Sequence, residues 1–503
     1  MKRFNLIDEP WIPCLRHDGS VEVLGLRDTL VHAHEIRTVI GETPPITAAL
    51  FRLLLAVVHR VVSGPNGTRD WESLWVAGKW NGEQVDAYLM RWYERFYLFH
   101  PEHPFYQRRA GSSKEKPVSV LFPDKASGNN ATLFDHSTDA TDIGTTPDRA
   151  ARALLFVQTA SFAGGSGLAP RNSSDAPWGR GIVFLMEGDS LFETLMLNLL
   201  PKDLQPKIAT KNGDKDRPVW EAEDPFSPIR IAPLGYLDYL TWPTRAVWLI
   251  PEESDGKLVV KKVLMGPGLK IESDIRDPFH HYRKDEKRGY LVLRFKEGRM
   301  LWRDSAVLLK LSDLGSPAPF ILASRLVDRG ILDGNRRYRY MALGMSNNQA
   351  KVDFYREEHM PLPGEYLQYP GLVAKLAEGI RLSHQVRDRL MQAVSRMAAV
   401  ILSPTVDEGG RRPDRKDVKD LMSHWAVERR FWASLDVPFL KFMEDLPSDP
   451  DEASKEWKRA LVQSAWESLE QAENFAGESP RAMKAAVRAR GQLGGALKKL
   501  NLV

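Results

Sequence analysis

The chain has 503 residues, with 70 Lys+Arg against 66 Asp+Glu for a formal net charge of +4; 43% of residues are hydrophobic and 27% charged. These values exclude a fibrous or largely disordered chain, and the length exceeds what one hydrophobic core supports, so at least two domains are expected. The one cysteine, Cys14, excludes a disulfide framework, a cysteine zinc finger and an iron–sulfur cluster within the chain. It fits a reducing compartment. No signal-peptide stretch follows Met1-Lys2-Arg3 and no apolar run of bilayer length stands out, so a cytoplasmic protein without membrane contact is expected.

In chain order, Val21–Leu24 reads as a strand, and Ile46 to Val62 as a buried helix that stops at Ser63-Gly64-Pro65. Val85 to Phe99 reads as a second helix, with Val85, Tyr88, Leu89, Trp92 and Phe96 near helical spacing. Gly111 to Thr146 and Gly164 to Gly181 are long polar interruptions; loops of that length are usually functional or disordered. Tyr290–Phe295 reads as a strand. After Pro361-Leu362-Pro363-Gly364 the composition changes. Four helices are expected, over 371–402, 415–444, from Pro450 to about Phe475, and after Ser479-Pro480, where serine caps and proline takes the first helical position. The expected fold is therefore α+β: a large mixed α/β domain over 1–366, then a four-helix bundle over 367–503.

Charge is uneven in that last region. Residues 479–503 carry Arg481, Lys484, Arg488, Arg490, Lys498 and Lys499 and no acidic residue, so the rest of the chain sums to −2. Arg481, Lys484 and Arg488 follow three- and four-residue steps and share one helix face, while Met483, Val487 and Leu497 are candidates to point inward. The basic face is either a solvated surface or one that tracks phosphates.

Common catalytic signatures are missing. There is no G-x-x-x-x-G-K-[ST] loop, no H-E-x-x-H pair and no G-x-S-x-G elbow. Cys14 reads as a buried structural thiol. His100 and His103 are three residues apart across Pro101, and His280-His281 are adjacent; both pairs read as structural, with a metal-dependent nucleic-acid hydrolase as the alternative they leave open. No catalytic residue, metal site or cofactor is assigned.

Four features point toward nucleic acid instead. Phe162-Ala163-Gly164-Gly165-Ser166-Gly167 is either a hinge or a loop whose backbone approaches a ligand closely, since no Cβ intervenes. Leu343–Ala350 ends in Ser346-Asn347-Asn348-Gln349-Ala350, after the Tyr/Arg alternation of 336–340. It is either an ordinary hairpin tip or one whose amides meet base edges. Ser127 to Phe134 ends a polar loop in Leu133-Phe134, an anchor to the core or a docking contact. The basic C-terminal helix is the fourth.

Two motifs then carry a resemblance. Phe4-Asn5-Leu6-Ile7-Asp8-Glu9-Pro10-Trp11-Ile12-Pro13 resembles the opening of the CasA family, the large subunit of the type I-E CRISPR surveillance complex called Cascade. Phe96 to Gln107 is similar to that family's F-Y-L-x-H-x-E-H-P-F-x-Q segment, and the glycine and hairpin motifs fall in matching order. The resemblance implies a non-enzymatic subunit, one copy per complex, that recognises the protospacer-adjacent motif of double-stranded DNA mainly from the minor groove. Guide RNA with the other Cascade subunits, and a helicase-nuclease, are its implied partners. Guide pairing then reads sequence, while the protein reads a short duplex motif.

By the same resemblance, the backbone at Ala163, Gly164 and Gly165 lies against the motif. Gln349, flanked by Asn348 and Ala350, is the wedge that starts strand separation. Lys270 is the first choice, and Lys262 the second, for a lysine entering the minor groove. Phe134 docks near the guide RNA's 5′ end. Arg481, Lys484 and Arg488 hold DNA backbone by charge.

Overall fold

The computed structural model describes residues 2–109, 114–122, 144–162, 174–208, 215–272, 274–312, 315–348, 351–403 and 410–502. It mixes helices and strands, as expected. It divides into two compact units: Met1–Glu297 with Leu311–Asp333 and Tyr338–His359, and Gly298–Lys310 with Gly334–Arg337 and Met360–Val503. The second unit thus takes in segments well before residue 367. The reason is aromatic packing. Trp302 stacks on Phe439 with ring centroids 4.4 Å apart and meets Trp457 edge-on, and its indole N–H donates to Asp436 at 2.7 Å.

In the first unit, the helix Pro44–Val61 follows an extended Thr43 and starts with two prolines, whose missing N–H groups lie where no helical partner exists. Its residues are apolar on every side, and it is long and apolar enough to cross a membrane by composition, contrary to the expectation of no such run. Here 89% of it is buried inside the fold, as the core helix. The N-terminal sheet sets Ile12–Arg16 between Val21–Leu24 and Ile36–Val39. Cys14 is buried there, and burial pushes its thiol up to about 11, which leaves it unreactive.

The expected helix 85–99 is shorter. It spans Gly82–Arg91, then tightens into a 3-10 turn over Tyr93–Phe96 and becomes the strand Tyr97–Phe99. That strand pairs with Arg3–Asn5, and this long-range pairing outweighs the helical spacing. The polar stretch 111–146 also contains a strand, Glu115–Pro117, on the edge of a ribbon formed by Arg245–Ser254 and Lys257–Pro267. The second expected strand is Gly289–Val292, paired with Tyr282–Asp285.

One buried ion pair joins these parts. Arg52, in the middle of the apolar helix, reaches Asp277 at 3.3 Å and donates to the carbonyls of Leu240 and Tyr239 at 2.8 and 2.7 Å. Its guanidinium lies 4.8 Å from the Trp178 ring centre and 5.0 Å from that of Tyr239. Asp277 also accepts from the Trp178 indole N–H and the Tyr239 hydroxyl, each at 2.8 Å, and from the Phe279 N–H at 2.8 Å. Both charges are almost fully buried, so their hydrogen bonds must replace lost hydration.

In the second unit, helices span Pro370–Leu402, Arg415–Trp425, Val427–Ala433, Asp436–Asp445, Pro450–Ala476 and Pro480–Lys499. The single helix expected over 415–444 is broken at Ala426, whose φ is +51°, and again before Asp436. The first long helix packs against the last two.

Removing the Asp277 carboxylate leaves Arg52 buried and uncompensated. Asp277→Ala is expected to cost about 3–5 kcal/mol. In urea unfolding followed by tryptophan fluorescence, the Arg52→Ala/Asp277→Ala double variant should lose less than the sum of the singles. Simple additivity would show that the two side chains act independently.

Candidate nucleic-acid interface

The segments that bear the two motif loops meet at one sheet. Val183–Glu187 pairs antiparallel with Arg337–Asn348, from Arg339 opposite Glu187 to Leu343 opposite Val183, and Lys351–Pro363 flanks the other side. Along this ladder the strand Arg337–Asn348 runs toward the N-terminal end of its partner, which is where the chain arrives from the glycine loop. At that end Gly344 passes over Gly181: a Cβ on Gly344 would lie 3.0 Å from the Gly181 carbonyl oxygen. Five further residues carry the strand from Leu343 to Asn348, about 17 Å at a strand's rise. The described end of that strand, Asn348, and the entry of the chain into Val183 therefore lie at the same end of the sheet.

The stems of the glycine loop are held tightly. On the N-terminal side, the helix Pro147–Thr159 leads to Ser161 and Phe162. The buried Arg245 donates to the carbonyls of Phe162 at 3.0 Å, Ser161 at 3.4 Å and Thr244 at 2.8 Å. Desolvation pushes the Arg245 guanidinium down to about 10. On the C-terminal side, the N–H groups of Ala176 and Trp178 bond the carbonyls of Ser161 and Thr159 at 2.9 and 2.8 Å. Trp178 then joins Asp277. Of the predicted residues, Ala163, Gly164, Gly165, Phe134, Gln349 and Ala350 lie outside the described residues, and Asn348 is described only as the last residue of its strand.

Lys270 is exposed and stands near the first stem. Gly268 and Leu269 donate to the carbonyls of Thr244 and Pro243 at 3.0 and 2.9 Å, and Thr244 bonds the Gln158 carbonyl at 2.9 Å. The approach at Gly268 is so close that a Cβ would meet the Pro243 oxygen and the Arg245 nitrogen. Lys270 shares a groove of about 450 Å³ with Arg108, Arg109, Arg230 and Glu272. Lys262, the second choice, is instead paired with Glu115 at 3.0 Å on the three-stranded ribbon.

A charge ladder crosses the hairpin sheet. Glu187 is approached by Arg37 at 2.9 Å, Arg339 at 3.4 Å and His359 Nδ1 at 2.9 Å, and His359 Nε2 faces Glu357 at 2.9 Å. Hydrogen bonds to Glu187 and Glu357 raise His359 to about 9 against some opposing burial. Burial pushes the Glu187 carboxyl upward, but His359, Arg339 and Arg37 outweigh it and leave it lowered.

The histidines of the hydrolase alternative have structural tasks. His100 Nδ1 accepts the backbone N–H of Glu102 at 3.1 Å and of His103 at 2.9 Å, closing the turn that carries both rings. Buried His280 sits with Nδ1 2.9 Å from the Ile182 carbonyl and Nε2 3.3 Å from that of Pro177. Among the described residues no group of three His, Cys, Asp or Glu gathers as a metal site.

Comparison with known proteins decides the relationship. The sequence model of the CRISPR-associated protein Cse1 family matches residues 5–468. A CRISPR-associated protein CasA/Cse1 of Thermus thermophilus is 35% identical over 523 residues, covering 99% of this chain and 98% of the relative. This chain belongs to the CasA/Cse1 family. The crystal structure of Thermus thermophilus CasA superposes with a TM-score of 0.80 at 30% identity, over 99% of this chain and 100% of that one. Cse1 of Acidimicrobium ferrooxidans gives 0.81 at 24% identity, over 99% and 98%. A chain of a CRISPR RNA-guided surveillance complex shares the fold, with a TM-score of 0.74 at 23% identity over 97% and 99%.

In this Cse1-family chain, the basic helix Pro480–Lys499 starts at Ser479, whose hydroxyl accepts the Ala482 N–H at 3.2 Å. Arg481 and Lys484 are exposed and Arg488 is half-buried, so the three do share an outward-leaning face. Arg481 also donates to the Ile401 carbonyl at 3.2 Å. Met483 and Val487, expected inward, are 61% and 71% exposed. Ala482, Ala485, Ala489, Leu493 and Leu497 face the interior instead, because alanines let this helix approach the long helix Pro370–Leu402 closely. The sequence reading missed Arg52, Asp277, Arg245 and the Glu187–His359 ladder. An arginine inside an otherwise apolar helix was the one signal visible for any of them.

The ladder has a pH dependence with a definite sign. His359 binds its proton more tightly in the folded chain than at the usual 6.5, so its stabilisation is complete below about pH 6.5 and is lost as pH rises through about 9. The thermal midpoint should fall more across that window in the wild type than in His359→Gln. Parallel curves would remove the imidazole from the account.

Proposed function

We propose that this chain is the non-catalytic large subunit of a type I-E, RNA-guided surveillance complex, present once per complex in the cytoplasm and serving antiviral defence. Its task is to recognise the protospacer-adjacent motif in double-stranded DNA, start strand separation beside it and help recruit the helicase-nuclease. Family membership supports the place in a CRISPR complex.

The observation that carries the motif-reading role is the convergence of stems. The ladder from Arg339–Glu187 to Leu343–Val183 directs the strand that ends at Asn348 toward the end of the sheet where the chain enters at Val183. The stem at Phe162 is tied through Arg245 and Thr244 to the segment of Lys270. A duplex at that end would meet glycine backbone at Ala163, Gly164 and Gly165, the ammonium of Lys270, and the amide tip Asn348-Gln349-Ala350 together. Backbone and a single cation suit the minor groove, where base pairs present a degenerate pattern. Inserting Gln349 below the motif unstacks one step at a cost of a few kcal/mol, which guide pairing and phosphate contacts offset. Phe134 would dock against the guide RNA's 5′ end, and Arg481, Lys484 and Arg488 would hold DNA backbone without reading sequence. Recruitment of the helicase-nuclease follows from family resemblance alone.

In a complex assembled with its guide RNA, Gln349→Ala should weaken binding to closed duplex by about 10- to 100-fold and leave a pre-melted target nearly unchanged. Equal loss on both substrates would sink the wedge role. Gly164→Asp sets a side chain and a negative charge where backbone would meet the duplex. Binding to motif-bearing duplex should then drop to the level of motif-free DNA in a gel-shift competition; retained discrimination would refute the loop's part.

A further inference from the structure

In the second unit, the helices Asp436–Asp445 and Pro450–Ala476 pack together and leave a groove of about 240 Å³ between them. The first helix lines it with Val437, Lys441 and Asp445 at four-residue steps, beside Pro438 and Phe442. The second lines it with Ala453, Trp457 and Ala460, beside Glu456. Phe442 and Trp457 are its buried floor, stacked with ring centroids 5.4 Å apart and planes at 11°. Trp457 is fixed by its indole N–H, which donates to the Gly379 carbonyl at 3.0 Å. A Cβ on Gly379 would lie 2.5 Å from the Phe442 ring, so the glycine lets that ring sit deep. The gap is left by Ala453 and Ala460, one helical turn before and after Trp457, where longer side chains would close it. Val437 also lines this groove and is 76% exposed. None of the roles above uses this feature.

Size and charge say what fits there. The groove is smaller than the roughly 300–1,000 Å³ of a small-molecule site and suits one large apolar side chain. Residues 436–456 carry seven Asp and Glu against Lys441 and Lys455. Both lysines are already paired: Lys441 with Glu456 at 2.5 Å across the groove, and Lys455 with Glu452 at 3.3 Å. Asp445, on the rim, forms no ion pair among the described residues, and neither do Glu444 and Asp451 close by in sequence. An acidic surface of this kind repels a polyanion, unlike the basic helix after Ser479. An apolar pocket with charge confined to its rim is the pattern of a protein–protein anchor site, where one side chain fills the pocket and opposite charge around it selects the partner.

We propose that this groove docks another protein chain, which inserts one apolar side chain from a segment rich in lysine or arginine. The anchor covers Phe442, Trp457 and Val437, and a neighbouring cation of the partner meets Asp445. The inference stands on these two helices and does not depend on the duplex-reading role.

The test uses the chain labelled with fluorotryptophan, the Trp457 fluorine resonance being assigned through Trp457→Phe. The probes are alanine-based helical peptides: one with a leucine flanked by lysines, one with that leucine replaced by alanine, and one with the leucine kept and the lysines replaced by glutamates. The leucine–lysine peptide should shift the Trp457 resonance saturably, and the other two should bind about tenfold more weakly. Ala460→Leu fills the groove from within and should cut binding about tenfold at an unchanged or raised thermal midpoint. Asp445→Asn should leave the fold intact and narrow the preference for lysine over glutamate. Equal binding of the alanine–lysine peptide means attraction by charge without a pocket, and equal binding of the glutamate peptide means apolar contact without charge selection; either overturns the proposal. So does binding that Ala460→Leu leaves undiminished, or a Trp457 resonance that never moves. If the chain alone sediments as a dimer that Ala460→Leu dissociates, a second copy fills the groove and a foreign basic segment is overturned.

Discussion

Asp277 is the point at which the first unit is tied together. Its carboxylate neutralises Arg52 in the core helix and accepts hydrogen bonds from Trp178 and Tyr239. Each partner belongs to a different working segment. Trp178 lies near the C-terminal end of the glycine-rich stretch, and Tyr239 lies in the short helix Tyr236–Leu240, which also contains Asp238, the partner of Arg230. Two residues on from Phe279, His281 accepts the Leu293 N–H, and Ile182, at the start of the hairpin sheet, bonds the Leu293 carbonyl. A buried charge pair of this kind is weak evidence for stability, because its desolvation offsets much of its attraction. Its effect here is positional. With so many donors converging on one carboxylate, few other arrangements of these segments satisfy every buried polar group.

That frame also fixes the described stems on either side of the glycine-rich stretch: Arg245 gathers three carbonyls on one side, and the Ala176 and Trp178 N–H groups bond the carbonyls of Ser161 and Thr159. The hairpin is restricted in the same way by its ladder to Val183–Glu187 and by the charges around Glu187.

Local periodicity made the long helices legible. The core helix, the first helix after residue 370 and the last two of the chain all fall within a residue or two of their expected bounds, since proline starts and apolar spacing are local signals. What the sequence hid was non-local. The end of the 85–99 segment becomes a strand because Arg3–Asn5 captures it from more than ninety residues away in sequence. The break at Ala426 has no glycine or proline to announce it. Arg52 was visible as an oddity in an apolar run, but Asp277 is 225 residues further on. Lys270 ranked ahead of Lys262 on the resemblance alone, and the ion pair of Lys262 with Glu115 is not visible in the sequence. Family motifs, rather than spacing, brought the glycine loop, the hairpin tip and Phe134 into one reading.

Charge placement then argues for how such a chain would engage a polyanion. Most arginines of the first unit are already committed: Arg37 to Glu187, Arg60 to Glu221, Arg152 to Glu42, Arg230 to Asp238. With the basic C-terminal segment set aside, the remaining chain is slightly acidic. A surface like that gains little from counterion release, the term that dominates sequence-blind binding. It would rest on free DNA only weakly. The proposed contacts of glycine backbone, one lysine and an amide tip would reward a duplex only when its shape and motif bring them into register. On the proposed reading, discrimination would come from the arrangement of a few short-range contacts, and the general attraction would be left to the helix that carries Arg481, Lys484 and Arg488.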